Sequence, residues 1–218
     1  EFHEGNNPLR RMNLAYMGYA VPLLSHGRIS DLKAMVEILQ SLEAQNHFAA
    51  RGVFRDVWNA YTASHRLINL LSGLALYRAA GGELDEAAET VIYDHARLCA
   101  AFIAGNLERD LQYNHLLKNL VALSVFSAAI GAVPPAFAFL DTAIVKSVRQ
   151  NVLGDGGPAE RCPMYHALSV LDLEMLSASG IVSRETETMV TGALARMKPA
   201  LAVMSHPDGD IALFNDSW

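Results

Sequence analysis

Apolar residues recur at helical spacing through nearly the whole chain and almost nowhere at the spacing of a strand. Within residues 29–45, Leu32, Met35, Val36, Leu39 and Leu42 fall on one helical face, with Ser30 or Asp31 placed to cap its start. Residues 63–80 carry Leu67, Leu70, Leu71 and Leu74 in phase and stop at Gly81-Gly82. Residues 85–103 follow, with Ala88, Val91, Ile92, His95 and Cys99 on one side. Residues 113–130 are apolar nearly all round and end at Gly131, before Pro134-Pro135. Further helices are predicted over 136–152, 163–178 and 184–204. A period of two begins only at 210–214, where a short strand is expected.

Seven helices with short polar connectors imply antiparallel helical hairpins. Most are apolar over more than a narrow stripe, as helices packed on two sides must be. With 218 residues and 51% hydrophobic residues, the chain can bury a proper core. It carries 17 Lys+Arg against 23 Asp+Glu, a net charge of −6, and has no basic run. That balance disfavours a nucleic-acid partner and long-range steering of polyanions. Cys99 and Cys162 are far apart and form no metal or redox motif, so both are read as buried thiols. No apolar run reaches the length of a membrane span. The chain begins without Met, at Glu1-Phe2.

Against this apolar background stand four polar islands. The first is Trp58-Asn59-Ala60-Tyr61-Thr62-Ala63-Ser64-His65-Arg66-Leu67-Ile68-Asn69, where Arg66 and Asn69 share a helical face beside Trp58, Tyr61 and His65. The second is Gln112-Tyr113-Asn114-His115-Leu116-Leu117-Lys118-Asn119. The third runs from Asp155-Gly156-Gly157 through Glu160-Arg161-Cys162-Pro163-Met164-Tyr165-His166. The fourth is Leu213-Phe214-Asn215-Asp216-Ser217. Taken alone, each has an ordinary explanation. Asn114 could cap a helix, His115 could be a satisfied buried histidine, and Tyr165 could pack at a helix start. Arg161 could pair with Glu160, and Trp58 could be buried under a solvated stripe. The His206-Pro207-Asp208-Gly209-Asp210 stretch lacks the further ligands of a calcium loop and reads as a turn.

Taken together, the N-H-L-L-x-N and D-G-G-x-x-E-R-x-P-M-Y-H strings, in this order, resemble the heparinase II/III-like polysaccharide lyases, alginate lyases included. The first island resembles a stretch of the same family in which Ala60 is usually proline. The resemblance implies an all-α fold, an incomplete (α/α) toroid over residues 1–209. Residues 210–218 would begin the connection to a following β-domain, without which the cleft is incomplete and self-association is plausible. It implies β-elimination next to a uronic acid in an anionic polysaccharide or oligosaccharide, in the periplasm or outside the cell, with no cofactor or metal in this chain. Asn114 would bind the uronate carboxylate, His115 would act as base or help neutralise that carboxylate, and Tyr165 would transfer the proton. Arg66, Asn69, Arg161, Tyr61, Trp58, His166 and Glu160 would line the substrate site, His166 in a supporting role. A non-catalytic glycan-binding domain on the same fold is the competing expectation. A hydrolase would need two opposed carboxylates, which the islands do not offer.

Overall fold

The computed structural model describes residues 7–217; Glu1-Phe2 and Trp218 lie outside the described residues. The chain divides into two compact units, Glu1–Leu107 and Glu108–Trp218. Among the described residues regular structure is helical, apart from isolated β-bridges between Val152 and Pro158 and between Ser205 and Ile211. The strand expected over 210–214 is therefore not formed. Ile211 meets one partner across the turn at His206–Asp210, and no second strand lies beside it to extend the pairing.

The first unit contains α1 (Pro8–Ala15), α2 (Ala20–Leu24), α3 (Ile29–Gln45), α4 (Val53–Asp56), α5 (Ala60–Ala79) and α6 (Glu86–Gly105). Helix α3 matches the apolar periodicity, and Leu32, Met35, Leu39 and Leu42 are its buried residues. Its cap differs from expectation: Arg28 occupies the cap, and Ser30 and Asp31 lie in the first turn. Asp31 there complements the positive end of the helix and pairs with Arg28 at 2.7 Å. Asn59 and Asp85 cap α5 and α6 by accepting from the N–H groups of Thr62 and Ala88. Helix α5 packs against α2 and α6, and α6 also packs against α3. At Gly73 a β-carbon would lie 2.8 Å from the Ala20 carbonyl oxygen, so glycine is what lets α2 approach α5 closely. Helices α1, α2 and α4 were not expected; at 8, 5 and 4 residues they are too short to display a period.

The second unit contains α7 (Tyr113–Ala129), a 3₁₀ turn (Pro135–Phe137), α8 (Leu140–Asn151), α9 (Pro163–Ser179) and α10 (Arg184–Val203). The single helix expected over 136–152 is split, because the prolines set a separate 3₁₀ turn before α8 begins. Gly180, at φ +62°, stops α9 in the left-handed conformation, and Ser183 caps α10 through the Thr186 N–H. Helix α7 packs on α8 and α9, and α10 packs on α8 and α9. Between α7 and α9 lies a buried ion pair, Lys118 with Asp172, both under one-tenth exposed.

Removing one member of that pair strands the other charge in a packed seam. Lys118→Met is expected to cost about 3–5 kcal/mol of stability. Combining it with Asp172→Leu should recover most of the loss, because apolar side chains then fill the seam. Urea denaturation followed by circular dichroism measures both.

Candidate active site

The islands of the second unit come together where α7 and α9 begin. The chain enters α7 through two unusual residues. Gln112 has φ 56° and ψ −150°, and Tyr113 has φ 40°. Neither is a glycine, so this entry is strained and must be held by its surroundings. Asn114 and His115 follow in the first turn. Adjacent side chains diverge by about 100° around a helix, but Glu160 reaches this turn through the backbone of Asn114 and the charge of His115. The Asn114 backbone N–H donates to Glu160 Oε2 at 3.3 Å, and the Glu160 carboxyl senses the charge of His115. Asn114 is 6% exposed; His115 is partly exposed. His115 Nδ1 meets Glu108 Oε1 at 3.2 Å.

The Gly-rich loop delivers Glu160 to this place. Asp155 Oδ1 accepts from the Gly157 N–H at 2.9 Å and tightens the turn. Ala159 N–H donates to the Asn151 carbonyl, which ties the returning chain to the end of α8. Gly156 is at φ +87°, and a β-carbon there would lie 2.3 Å from the Arg196 carbonyl oxygen, so the loop lies flat on α10 only because this residue is glycine. Pro163 then starts α9 and places Tyr165 in its first turn.

The last island clasps the same segment. Ser217 Oγ accepts from the Met164 N–H at 3.1 Å and lies 3.4 Å from Cys162 Sγ. The Asn215 side-chain amide donates to the Arg161 carbonyl. Arg161 and Asn215 have φ 52° and 53°. Each of the three islands in this unit therefore contains a non-glycine residue in the left-handed region, a concentration of strain typical of functional sites. Burial pushes the Tyr165 phenol above its ordinary range, and the negative charges of Asp216, Cys162 and Glu160 add to this. Burial also pushes the Glu160 carboxyl up; Asp216 reinforces that shift, while the Asn114 N–H and His115 oppose it. The cluster thus offers a phenol that keeps its proton near neutrality, an imidazole, and a half-buried carboxyl electrostatically coupled to each.

The remaining expected site residues are placed differently. His166 is fully buried, with Nε2 at 2.9 Å from the Met197 carbonyl, so it ties α9 to α10 instead of meeting a substrate. Arg161 is exposed, and its backbone carbonyl is what the clasp uses. In the first unit, Arg66 is 0% exposed and Trp58 is 3% exposed. Arg66 Nη1 donates to the carbonyls of Ala15 and Val57, and its guanidinium lies 4.5 Å over the Trp58 ring. Trp58 Nε1 donates to the Asn46 carbonyl. The expected sugar platform at these two residues is corrected accordingly: they are core. Arg66 also belongs to a polar group with the buried His95 and Cys99, which the exposed Glu43 closes by meeting His95 Nδ1 at 2.6 Å. Burial opposes ionisation of Cys99, but His95 and Arg66 outweigh it and pull the thiol down to about 7. Tyr61 and Asn69 are half-buried; Asn69 donates to the Tyr16 carbonyl, and Tyr61 meets the edge of the His65 ring. Cys99 and Cys162 are both buried free thiols, as expected. Sequence reasoning missed Glu108, which lies outside every island, and the charge that Asp216 directs at Tyr165. No group of His, Cys, Asp and Glu among the described residues could hold a metal ion. No helix among them is long and apolar enough to cross a membrane.

This architecture is that of the heparinases. The chain superposes on a crystal structure of heparinase III with a TM-score of 0.77 at 16% identity, covering 100% of this chain and 36% of that one. It superposes on the heparan sulfate lyase HepC from Pedobacter heparinus with a TM-score of 0.67 at 17% identity, covering 99% and 35%, and on a mutant of that enzyme with a TM-score of 0.71 at 16% identity, covering 100% and 36%. No protein-family model and no curated protein matches the chain. The likeness establishes the fold: an all-α, heparinase-like polysaccharide lyase fold of the incomplete (α/α) toroid class, as the motifs implied. The chain spans about a third of the length of the heparinases it matches.

Asp216→Asn removes a negative charge that disfavours the Tyr165 phenolate, so the tyrosine should ionise at lower pH in this variant than in the parent. An alkaline ultraviolet titration measures this, with Tyr165→Phe identifying the contribution of that residue.

Proposed function

We propose that this protein is a polysaccharide lyase that cleaves a uronic-acid-containing anionic glycan by β-elimination, working in the periplasm or outside the cell. The observation that carries the reading is that Glu160 accepts the Asn114 N–H, feels the charge of His115 in the first turn of α7, and is itself felt by Tyr165 in the first turn of α9. The heparinase-like fold and the heparan sulfate lyase neighbours support it.

The chemistry follows from what each group can do. The C5 proton of a uronate is barely acidic while the adjacent carboxylate carries full charge. In our reading the Asn114 amide binds that carboxylate and stabilises the charge that develops as the proton leaves. The Glu160 carboxyl accepts the Asn114 backbone N–H and so helps to fix the first turn of α7 beside the substrate. His115 takes the C5 proton. The electron pair of the C5–H bond becomes the C4=C5 double bond, and the C4–O4 bond breaks with its pair on O4. Tyr165 gives its proton to O4. A phenol pushed above its ordinary range is protonated at neutral pH and so suits the acid role. Arg161, exposed beside Glu160, is available to a second anionic group of the chain, and Tyr61 and Asn69 to sugar contacts of their own unit.

Tyr165→Phe deletes the acid and conserves the ring. Elimination, followed by the ultraviolet absorbance of the unsaturated product on heparan-type, alginate and bacterial exopolysaccharide panels, should fall by about two to four decades. Glycan binding measured by affinity electrophoresis should stay nearly unchanged. Unchanged turnover in the variant would remove Tyr165 from the mechanism. Binding without unsaturated product in the parent would make the protein a glycan-binding domain.

A further inference from the structure

We propose that Glu108 and Asn119 form a clamp that fixes the tautomer of His115, with the proton on Nδ1 and the basic lone pair on Nε2. The role this gives them, as positioning residues for removal of the C5 proton, rests on the lyase reading; the tautomer itself does not.

Asn119 is fully buried and lies four residues after His115, on the same face of α7. Both ends of its amide reach back to one residue. Its Oδ1 accepts from the Glu108 backbone N–H at 3.0 Å, and its Nδ2 donates to Glu108 Oε2 at 3.0 Å. Only one orientation of the amide satisfies both bonds, because a backbone N–H can only donate and an ionised carboxylate can only accept. Gln112 N–H donates to the Glu108 carbonyl at 2.9 Å, so the short segment between Glu108 and α7 is tied to itself as well.

With main chain and Oε2 held, the second carboxylate oxygen is committed. Oε1 lies 3.2 Å from His115 Nδ1. A carboxylate oxygen brings no proton to that contact, so the proton sits on the imidazole at Nδ1. The neutral ring then has its lone pair on Nε2. Of the two neutral tautomers, only this one has a basic Nε2. The strained backbone at Gln112 and Tyr113 gives this geometry its form: it turns the chain so that a residue seven positions before His115 faces the first turn of the same helix.

The test is chosen so that the two readings fail separately. In protein labelled with ¹⁵N-histidine, long-range ¹H–¹⁵N correlation at neutral pH reports the tautomer of His115, with His115→Gln assigning the signal. The parent should show protonated Nδ1 and unprotonated Nε2. In Glu108→Gln the amide oxygen must still receive the Asn119 donor, which turns the new NH₂ group towards His115 Nδ1. The tautomer should therefore invert. Glu108→Asp, which keeps the charge, should retain the parent tautomer, and circular dichroism confirms that each variant is folded. In the elimination assay Glu108→Gln should lower kcat by about ten- to a hundredfold with KM little changed, and Glu108→Asp should recover part of it. A parent His115 protonated at Nε2, or an unchanged tautomer in folded Glu108→Gln, overturns the clamp. The stated tautomers without any elimination in the parent uphold the clamp and overturn the lyase reading.

Discussion

The Lys118–Asp172 pair determines what the second unit can present. Lys118 lies three residues after His115 on α7, and Asp172 lies two turns after Tyr165 on α9. Sliding one helix by a single turn, about 5.4 Å, would separate the charges and leave each without its partner in the seam. Burial pushes the Asp172 carboxyl up, and Lys118 opposes this, so the pair is held together at a desolvation cost. A buried ion pair of this kind adds little net stability compared with an apolar seam. It makes the wrong register expensive. The correct register puts the first turn of α7 beside the first turn of α9, and that is where the imidazole and the phenol are.

Once that register is set, the loop and the carboxyl-terminal island carry less of the fold and more of the site. Gly156 lets the chain lie against α10, the loop returns to α8 at Asn151, and Ser217 and Asn215 hold its far end. The strain at Gln112, Tyr113, Arg161 and Asn215 is retained because these contacts over-determine the path. The result is a set of polar groups packed among apolar ones. Hydrogen bonds and charges there act through less water than at an open surface, so each donor counts for more against a developing charge. The upward shifts of Tyr165 and Glu160 come from the same partial burial.

Much of this was legible in the sequence. The periodicity located α3, α5, α6, α7, α9 and α10, because long amphipathic or apolar segments carry many repeats of the same signal. It could not locate α1, α2 and α4, although Asn7 and Pro8 are a start signal for α1 that could have been read. The islands singled out Asn114, His115 and Tyr165 as candidates by residue type. They gave no account of direction: nothing in Trp58–Asn69 says that Trp58 and Arg66 turn inwards while Tyr61 and Asn69 stay half-buried. Glu108 was invisible for a different reason. Its partnership with His115 and Asn119 depends on the backbone reversal at Gln112 and Tyr113, which no local propensity foretells. Asn119 stood in the motif without a role for the same reason.

The contrast between the two units separates polar residues that hold a fold from polar residues that can do chemistry. In the first unit Glu43, His95, Cys99 and Arg66 answer one another's charge, and the last three are fully or almost fully enclosed. A group of this kind shifts its own ionisation strongly, yet it offers no exposed surface at the thiol or guanidinium for a reactant to meet. A perturbed ionisation is therefore a poor guide to function by itself. In the second unit the shifts at Tyr165 and Glu160 come from partial burial, and both side chains, like His115, keep part of their surface at the exterior. Access separates Arg66 and Trp58 from His115, Glu160 and Tyr165, though not from Asn114, which is 6% exposed and takes its place in the site from its position in the first turn of α7. The heparinase-like motifs mark both units with Arg, Trp, Tyr and His; the burial of Arg66 and Trp58 and the half-exposure of His115 and Tyr165 assign the first pair to the core and the second to the candidate chemistry.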